Sequence, residues 1–187
     1  MKKSFRGFVA IDIPKEIHHR LRAVKKELEK AGDSIRPTED ENLHITMKFL
    51  GDIGYDDIAK IENALLKIAA KTKRIKVKLR GVGVFPNESY IRVVWIGCKS
   101  KDNSLKELSD RINEGIGELG FPREENTPHL TIARVKRRIN LLDFLAKYKN
   151  ADFGEFEVTQ FFLKQSILGR DTGKGPKYET IVEVALE

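Results

Sequence analysis

The sequence predicts an α+β protein built from two related lobes that face each other across a cleft. Several segments alternate apolar and polar residues, as half-buried strands do, and residues 74–84 are the clearest of them. Other segments space their apolar residues three or four positions apart, which is typical of amphipathic helices. A short motif of His, an apolar residue and Thr occurs in two strand-like segments far apart in the chain. This repetition predicts a pseudo-twofold axis near the two motif strands.

The first half of the chain alternates strands and helices. Residues 5–13 have the pattern of a mostly buried strand, and Pro14 suits the first position of a helix. The spacing of the apolar residues predicts that helix over residues 17–31. The first motif strand follows at residues 43–51, and a second helix is predicted over residues 56–68.

The second half contains most of the predicted strands. Residues 74–84 and 90–98 are two of them, and residues 85–89 form their hairpin connection. A third helix is predicted over residues 105–119. The remaining elements are the second motif strand, a short helix and two final strands: residues 128–134, 141–148, 153–168 and 178–186. A Gly-rich basic loop at residues 169–177 joins the last two strands.

Composition limits both the architecture and the partner. A chain of 187 residues with 40% hydrophobic residues suits one domain, residues 1–187, whose two lobes share a core. The net charge of +7 favours a polyanionic partner. Cys98 is the only cysteine, which excludes an internal disulfide and a cysteine-based zinc site. The apolar runs are too short to cross a membrane and no signal-peptide pattern opens the chain, so we expect a cytoplasmic monomer with no membrane partner.

The first motif strand separates polar from apolar side chains. Simple alternation places three polar side chains on one face: His44, Thr46 and Lys48. The apolar side chains then face the core: Ile45, Met47 and Phe49. Lys48 is therefore a candidate contact for a polyanionic backbone, although a solvated lysine at a strand end has the same pattern. Phe49 is assigned to the core, with stacking on a ligand at the rim as the alternative.

The second motif strand repeats the arrangement. His129 and Thr131 share one face, and Pro128 enforces an extended entry to the strand. Arg134 falls on the opposite face by simple alternation. It reaches the same side as His129 only if the strand bends or bulges near Ala133.

Two opposed His-x-Thr strands suit acid–base chemistry on a phosphate. Imidazole titrates near neutral pH, so one ring of a pair can accept a proton while the other donates one. A threonine two residues further along places a hydroxyl donor beside each ring. Each motif alone is also typical of an ordinary strand with a hydrogen-bonded His and a strand-forming Thr. The occurrence of the motif at two of the four histidines favours the catalytic interpretation.

The paired motifs resemble those of the two-histidine (2H) phosphoesterase superfamily. Within it, residues 44–51 (HITMKFLG) and 129–134 (HLTIAR) are similar to the branch named for 2′-5′ RNA ligase, the RNA 2′,3′-cyclic phosphodiesterases. Three further stretches fit that branch: residues 6–11, residues 84–87, and residues 163–168 with Tyr178. The resemblance implies two pseudo-symmetric lobes of mainly antiparallel sheet, with outer helices, around a central cleft.

The resemblance also implies an activity and a set of site residues. The activity is hydrolysis of a terminal RNA 2′,3′-cyclic phosphate to a 2′-phosphate without metal or cofactor, together with the reverse 2′-5′ ligation, for which tRNA fragments are candidate substrates. His44 and His129 become the acid–base pair, Thr46 and Thr131 bind the phosphate, and Arg134 contacts the anionic group. We assign His129 as the base and His44 as the acid for the 3′ oxygen, although the sequence itself fits either assignment.

Other interpretations stay open at this stage. A non-catalytic basic RNA-binding module has the same charge, and a primary tRNA-fragment ligase has the same site residues. A two-histidine metal site is disfavoured, since neither motif strand offers a third ligand. Residues 169–175 resemble a P-loop, but Gly175 stands where Ser or Thr should bind magnesium. We predict a hairpin there, with Arg170 and Lys174 as RNA contacts.

Overall fold

Antiparallel strands and four α-helices make up the protein, whose computed structural model describes residues 3–167 and 175–187. Over these residues the strands are β1 (Ser4–Asp12), β2 (Ile35–Pro37), β3 (His44–Gly54), β4 (Ile75–Asn87), β5 (Tyr90–Ser100), β6 (His129–Val135), β7 (Asp152–Val158), β8 (Gln160–Ile167) and β9 (Lys177–Ala185). The α-helices are α1 (Lys15–Lys30), α2 (Ile58–Ala69), α3 (Ser104–Gly117) and α4 (Leu142–Tyr148). Short 3₁₀ turns occupy Asp40–Asn42 and Tyr55–Asp57.

The strands form two lobes that meet at the motif strands. Their order is β7-β4-β5-β6-β3-β1-β8-β9, and β2 pairs with β6 outside this path. All of these pairings are antiparallel, and the register between β3 and β6 consists of the single pair Ile45 and Leu130. We call β3, β1, β8 and β9 the terminal lobe, and β6, β5, β4, β7 and β2 the internal lobe. The predicted pseudo-twofold arrangement is confirmed, because each lobe runs outward from one motif strand.

The helices pack against the sheet through their apolar stripes. The stripe of α1 consists of Ile17, Leu21, Val24 and Leu28, all buried. It lies against β2, β6 and β7 of the internal lobe, and α4 lies against β4. α2 packs against β9 and α3 packs against β3 and β5, so α3 spans the junction of the lobes. Each fully buried Leu or Ile in these stripes contributes roughly 1.5–3 kcal/mol of transfer free energy.

Two sequence predictions about element boundaries are corrected. The connection predicted at residues 85–89 is shorter, because β4 continues to Asn87, whose side-chain oxygen accepts hydrogen bonds from the backbone amides of Ser89 and Tyr90. The single strand predicted over residues 153–168 is two strands with a break at Thr159. These strands belong to different lobes, since β7 pairs with β4 and β8 pairs with β1.

Two further boundaries concern the start of α2 and the last loop. Asp56 and Asp57 lie in a 3₁₀ turn that precedes α2 rather than in its first turn. The predicted basic hairpin with Arg170 and Lys174 lies outside the described residues. None of the described helices is long and apolar enough to span a membrane.

Candidate active site

A β-bulge in β3 follows the first His-x-Thr motif. Thr46 and Lys48 pair with consecutive residues of β1, so Met47 has no partner in the register and is fully buried. A bulge reverses the inward and outward alternation beyond it. His44 and Thr46, which precede the bulge, keep the predicted face and line a cleft between the lobes. Phe49, which follows it, also lines this cleft.

Two predictions made from simple alternation are therefore wrong. Phe49 is 62% exposed and is not a core residue. Lys48 does not share the face of His44: it is buried on the helix side, where its Nζ donates to Asn113 Oδ1 at 2.7 Å and to the Pro122 carbonyl at 2.5 Å. Its partners fix the segment that leads into β6. Lys48 thus supports the second motif and does not line the cleft.

A matching bulge in β6 follows the second motif. Thr131 and Ala133 pair with consecutive residues of β5, so Ile132 is left unpaired and buried. Arg134 consequently lines the same cleft as His129 and Thr131. The bulge lies one residue before Ala133 and supplies the change of direction that the sequence requires for an Arg134 contact with an anion.

The two motifs form a compact square at the lobe junction. Ile45 and Leu130 form the single pair between β3 and β6, and the His and Thr of each motif flank that pair. Because the strands are antiparallel, His44 lies toward the same end as Thr131, and Thr46 lies toward the same end as His129. The histidines then occupy one diagonal of the square. In a regular antiparallel pair such diagonal neighbours are about 7–8 Å apart, a spacing that leaves room for one phosphoryl group between two imidazoles.

Both histidine rings are oriented by a carbonyl two residues upstream. His44 Nδ1 lies 2.7 Å from the Asn42 carbonyl oxygen, and His129 Nδ1 lies 2.7 Å from that of Thr127. A carbonyl oxygen can only accept, so both Nδ1 atoms carry the hydrogen and both Nε2 atoms are left for proton exchange. His44 Nε2 contacts Thr46 Oγ1 at 3.1 Å, so the neutral ring accepts a hydrogen bond from the threonine hydroxyl.

Aromatic side chains pack against each imidazole. The ring centroid of His44 is 5.1 Å from those of Phe8 and Tyr178, and Tyr178 meets it edge-on at 86°. The ring centroid of His129 is 5.0 Å from that of Phe85. Burial under these rings lowers the pKa of His44, and the hydrogen bond to the Asn42 carbonyl opposes this only in part.

We expect an anion to reverse the pKa shift of His44. In the ligand-free protein the ring should be half protonated below the ordinary histidine value of about 6.5, because burial penalises the charged form. Inorganic phosphate in the cleft should raise that pKa, since an adjacent negative charge favours the imidazolium ion. An NMR pH titration of the His44 ring with and without phosphate checks both signs. A free-protein pKa at or above about 6.5 would contradict the burial argument.

The segment that precedes each motif is hydrogen-bonded to the bulge that follows the other motif. Asn126 Nδ2 donates to the carbonyl oxygens of Thr46 at 2.9 Å and Met47 at 3.0 Å. Reciprocally, the backbone amide of Thr38 donates to the Ile132 carbonyl at 2.9 Å. Each bulge exposes carbonyl groups that the strand ladder does not satisfy, and these bonds satisfy them. The sequence analysis missed Asn126, because no local pattern distinguishes it from an ordinary loop asparagine.

The cleft has a volume of ≈ 610 Å³, in the usual range for a small-ligand site. Both histidines, both threonines and Arg134 line it, together with exposed aromatic rings at its rim. Among the described residues, no group of three or more His, Cys, Asp or Glu side chains is arranged to hold a metal ion. The fold and the cleft together define a class of enzyme, the two-histidine phosphoesterases, in which each lobe contributes one His-x-Thr strand.

Comparison with known proteins identifies the family. The model of the LigT-like phosphoesterases matches residues 11–95, which include the first motif. Over 182 residues the chain is 43% identical to the RNA 2′,3′-cyclic phosphodiesterase of Methanocaldococcus jannaschii, covering 95% of this chain and 99% of that relative. The protein therefore belongs to the LigT-like phosphoesterase family, as its paired motifs predict.

Solved structures confirm the predicted fold class. The protein TT0787 of Thermus thermophilus superposes with a TM-score of 0.82 and 25% identity over 97% of both chains. E. coli LigT in its apo form superposes with a TM-score of 0.78 and 23% identity over 98% of both chains. The bilobal antiparallel architecture is thus shared across the full length of these proteins.

Proposed function

We propose that this protein is an RNA 2′,3′-cyclic phosphodiesterase that opens a terminal cyclic phosphate to leave a 2′-phosphate. The observation that carries the proposal is the pair of His-x-Thr strands at one cleft, with both Nδ1 atoms bonded to carbonyls and both Nε2 atoms left for proton exchange. The function named for the Methanocaldococcus jannaschii relative supports the same chemistry. The whole chain, residues 1–187, acts in this proposal as one catalytic domain.

The proposed reaction needs one base and one acid. His129 Nε2 accepts a proton from water as the water oxygen attacks phosphorus, and the bond from phosphorus to the 3′ oxygen breaks. His44 Nε2 gives its proton to that 3′ oxygen, which leaves a 3′-hydroxyl and a 2′-phosphate. The hydroxyls of Thr46 and Thr131 donate to the non-bridging oxygens, and Arg134 compensates their negative charge. One proton leaves the water and one proton reaches the 3′ oxygen, so the reaction is balanced. After one turnover His129 is protonated and His44 is neutral.

The environment of each ring supports this division of roles. His129 is half-buried in the cleft and packs against the partly exposed ring of Phe85. Burial desolvates the His44 ring, and Coulomb attraction is stronger where water is scarce. A bound phosphate anion therefore raises the pKa of His44 strongly and favours the protonated ring that an acid requires. Reversal of the same steps joins a cyclic phosphate to an RNA 5′-hydroxyl.

Ligation is the second candidate function, and the aromatic rims favour it. Phe49 is 62% exposed on the terminal-lobe side of the cleft, and Phe85 is 37% exposed beside His129. Aromatic faces stack unpaired bases, so a nucleotide can be held on each side of the reacting phosphate. We propose that the enzyme is monomeric and cytoplasmic and acts on RNA ends. tRNA fragments are the candidate substrates, because they present both a cyclic phosphate and a 5′-hydroxyl.

An end-group assay tests the proposed function. The protein is incubated in EDTA with an RNA that ends in a 2′,3′-cyclic phosphate, and the product isomer is identified by chromatography against 2′- and 3′-phosphate standards. We expect complete conversion to the 2′-phosphate and a bell-shaped dependence of kcat/KM on pH. Salt-dependent binding without turnover would contradict the proposal and support a binding module, and a 3′-phosphate product would contradict the assignment of the leaving oxygen.

A further inference from the structure

Two arginines face each other across the β2–β6 pair at one end of the cleft. Arg36 of β2 and Arg134 of β6 are direct partners in the antiparallel register, and both line the cavity. Like charges directly opposite each other on neighbouring strands destabilise a sheet. Within residues 3–167 and 175–187, neither arginine forms an ion pair with a carboxylate. The pair thus concentrates positive charge where the cleft is open to a ligand.

The nearby carboxylate is directed elsewhere. Glu39 lies near Arg36, since both side chains approach Gly175 within 4 Å of its ideal Cβ position. Its Oε2, however, accepts a hydrogen bond from Asn42 Nδ2 at 3.1 Å. Asn42 is buried, and its side-chain amide also donates to the Pro176 carbonyl at 3.0 Å. Glu39 is therefore engaged by the segment that orients His44, and the two guanidinium groups stay open to an anion.

We propose that Arg36, beside Arg134 at the reacting phosphate, binds the phosphodiester that precedes the terminal nucleotide of the RNA. This inference rests on the proposed function, because it places the cyclic phosphate between His44 and His129. A cyclic-phosphate end has only one neighbouring phosphate, on the 5′ side of its last nucleoside. Arg134 lies beyond Thr131 on the same side of the cleft, and Arg36 extends the positive charge by one more strand. Guanidinium groups suit this role, since their planar donors match phosphate oxygens in pairs.

The subsite makes the enzyme selective for an RNA chain over a mononucleotide. A nucleoside 2′,3′-cyclic phosphate contacts only the catalytic square, whereas a dinucleotide with the same end gains the contact with Arg36. The gain depends on the negative charge of the linkage and not on the second base. Replacing the linkage by a neutral methylphosphonate isolates that charge.

The test compares three substrates: adenosine 2′,3′-cyclic phosphate, the ApA dinucleotide with a 2′,3′-cyclic phosphate end, and its methylphosphonate-linked analogue. With the unaltered protein we expect kcat/KM for ApA to exceed that for the neutral analogue about tenfold, the scale of one charge-assisted hydrogen bond. Arg36→Gln should abolish this difference, chiefly through KM, and leave turnover of the mononucleotide unchanged. Arg92→Gln is the matched control, because Arg92 is exposed and bonds the Lys136 carbonyl outside the cleft.

Each other outcome is decisive. Equal kcat/KM for the charged and neutral dinucleotides in the unaltered protein would overturn the subsite, whether or not the variant folds. An Arg36→Gln protein that loses mononucleotide turnover to the same extent would assign Arg36 to the reacting phosphate or to the fold. No turnover of any of the three substrates by the unaltered protein would instead mean that the proposed function fails.

Discussion

Replacing either His44 or His129 by Ala should lower kcat for cyclic-phosphate opening by about 10²–10⁴-fold, the usual contribution of a positioned acid or base. In the proposed mechanism each ring transfers a different proton in the same step, so loss of either one should block the same transition state. The double variant should be little slower than the single ones, because groups that act as a unit are strongly non-additive. Rates are measured on an RNA cyclic phosphate under saturating substrate.

The same variants should retain most of their affinity for the product. Thr46, Thr131 and Arg134 still line the cleft in either alanine variant, so the dissociation constant of a nucleoside 2′-phosphate should rise only severalfold. His19→Ala serves as the matched control, since His19 lies exposed on α1 and should leave the rate unchanged. Full activity in the double variant would show that the proposed site is wrong.

Asn126→Asp should have the second largest effect, on both stability and rate. The Asn126 amide satisfies the carbonyl oxygens of the β3 bulge, at Thr46 and Met47, and also contacts Ser109 Oγ at 3.1 Å. A carboxylate has no hydrogen to donate, so it leaves the Thr46 carbonyl without its side-chain donor and repels both carbonyl oxygens. The expected loss is about 1–3 kcal/mol of unfolding free energy. The rate should also fall about tenfold or more, because Asn126 holds the segment whose Thr127 carbonyl orients His129.

The pH dependence of that destabilisation has a definite sign. Carbonyl oxygens favour the protonated carboxyl, which raises the folded-state pKa of the new Asp above its unfolded value of about 4. The destabilisation should therefore be present above the folded-state pKa and should diminish as pH falls toward the unfolded value. Chemical denaturation at several pH values measures it. Asn63→Asp on the exposed side of α2 is the matched control, and equal losses in both variants would contradict the role given to Asn126.

The shared face of each His-x-Thr motif was predictable from the sequence because its geometry is local. His44 and Thr46 precede the bulge in β3, and alternation over those three residues suffices to place them on one face. His129 and Thr131 follow the same rule in β6. The long apolar stripes of α1 and α3 were predictable for the same reason, since a periodic stripe contains enough residues to specify one face.

The positions of Lys48 and Phe49 were not predictable, because they depend on contacts remote in the chain. The bulge at Met47 lies at a register shift between β1 and β3. The Met47 carbonyl accepts hydrogen bonds from the side chains of Ser109 and Asn126. Nothing in residues 43–51 encodes these partners. The assignment of β8 to the terminal lobe escaped prediction likewise, since pairing with β1 joins residues far apart in sequence. Arg36 was not singled out, because its position opposite Arg134 is visible only in the register of β2 with β6.

A crystal structure with a bound nucleoside 2′-phosphate tests the central claim most directly. The two motif strands are joined at Ile45 and Leu130, and the proposed mechanism requires imidazoles from both lobes to reach one phosphorus. We expect His44 Nε2 and His129 Nε2 to lie within hydrogen-bond distance of different oxygens of the same phosphoryl group. A phosphate that contacts only one of the two rings, or that binds outside this cleft, would contradict the account.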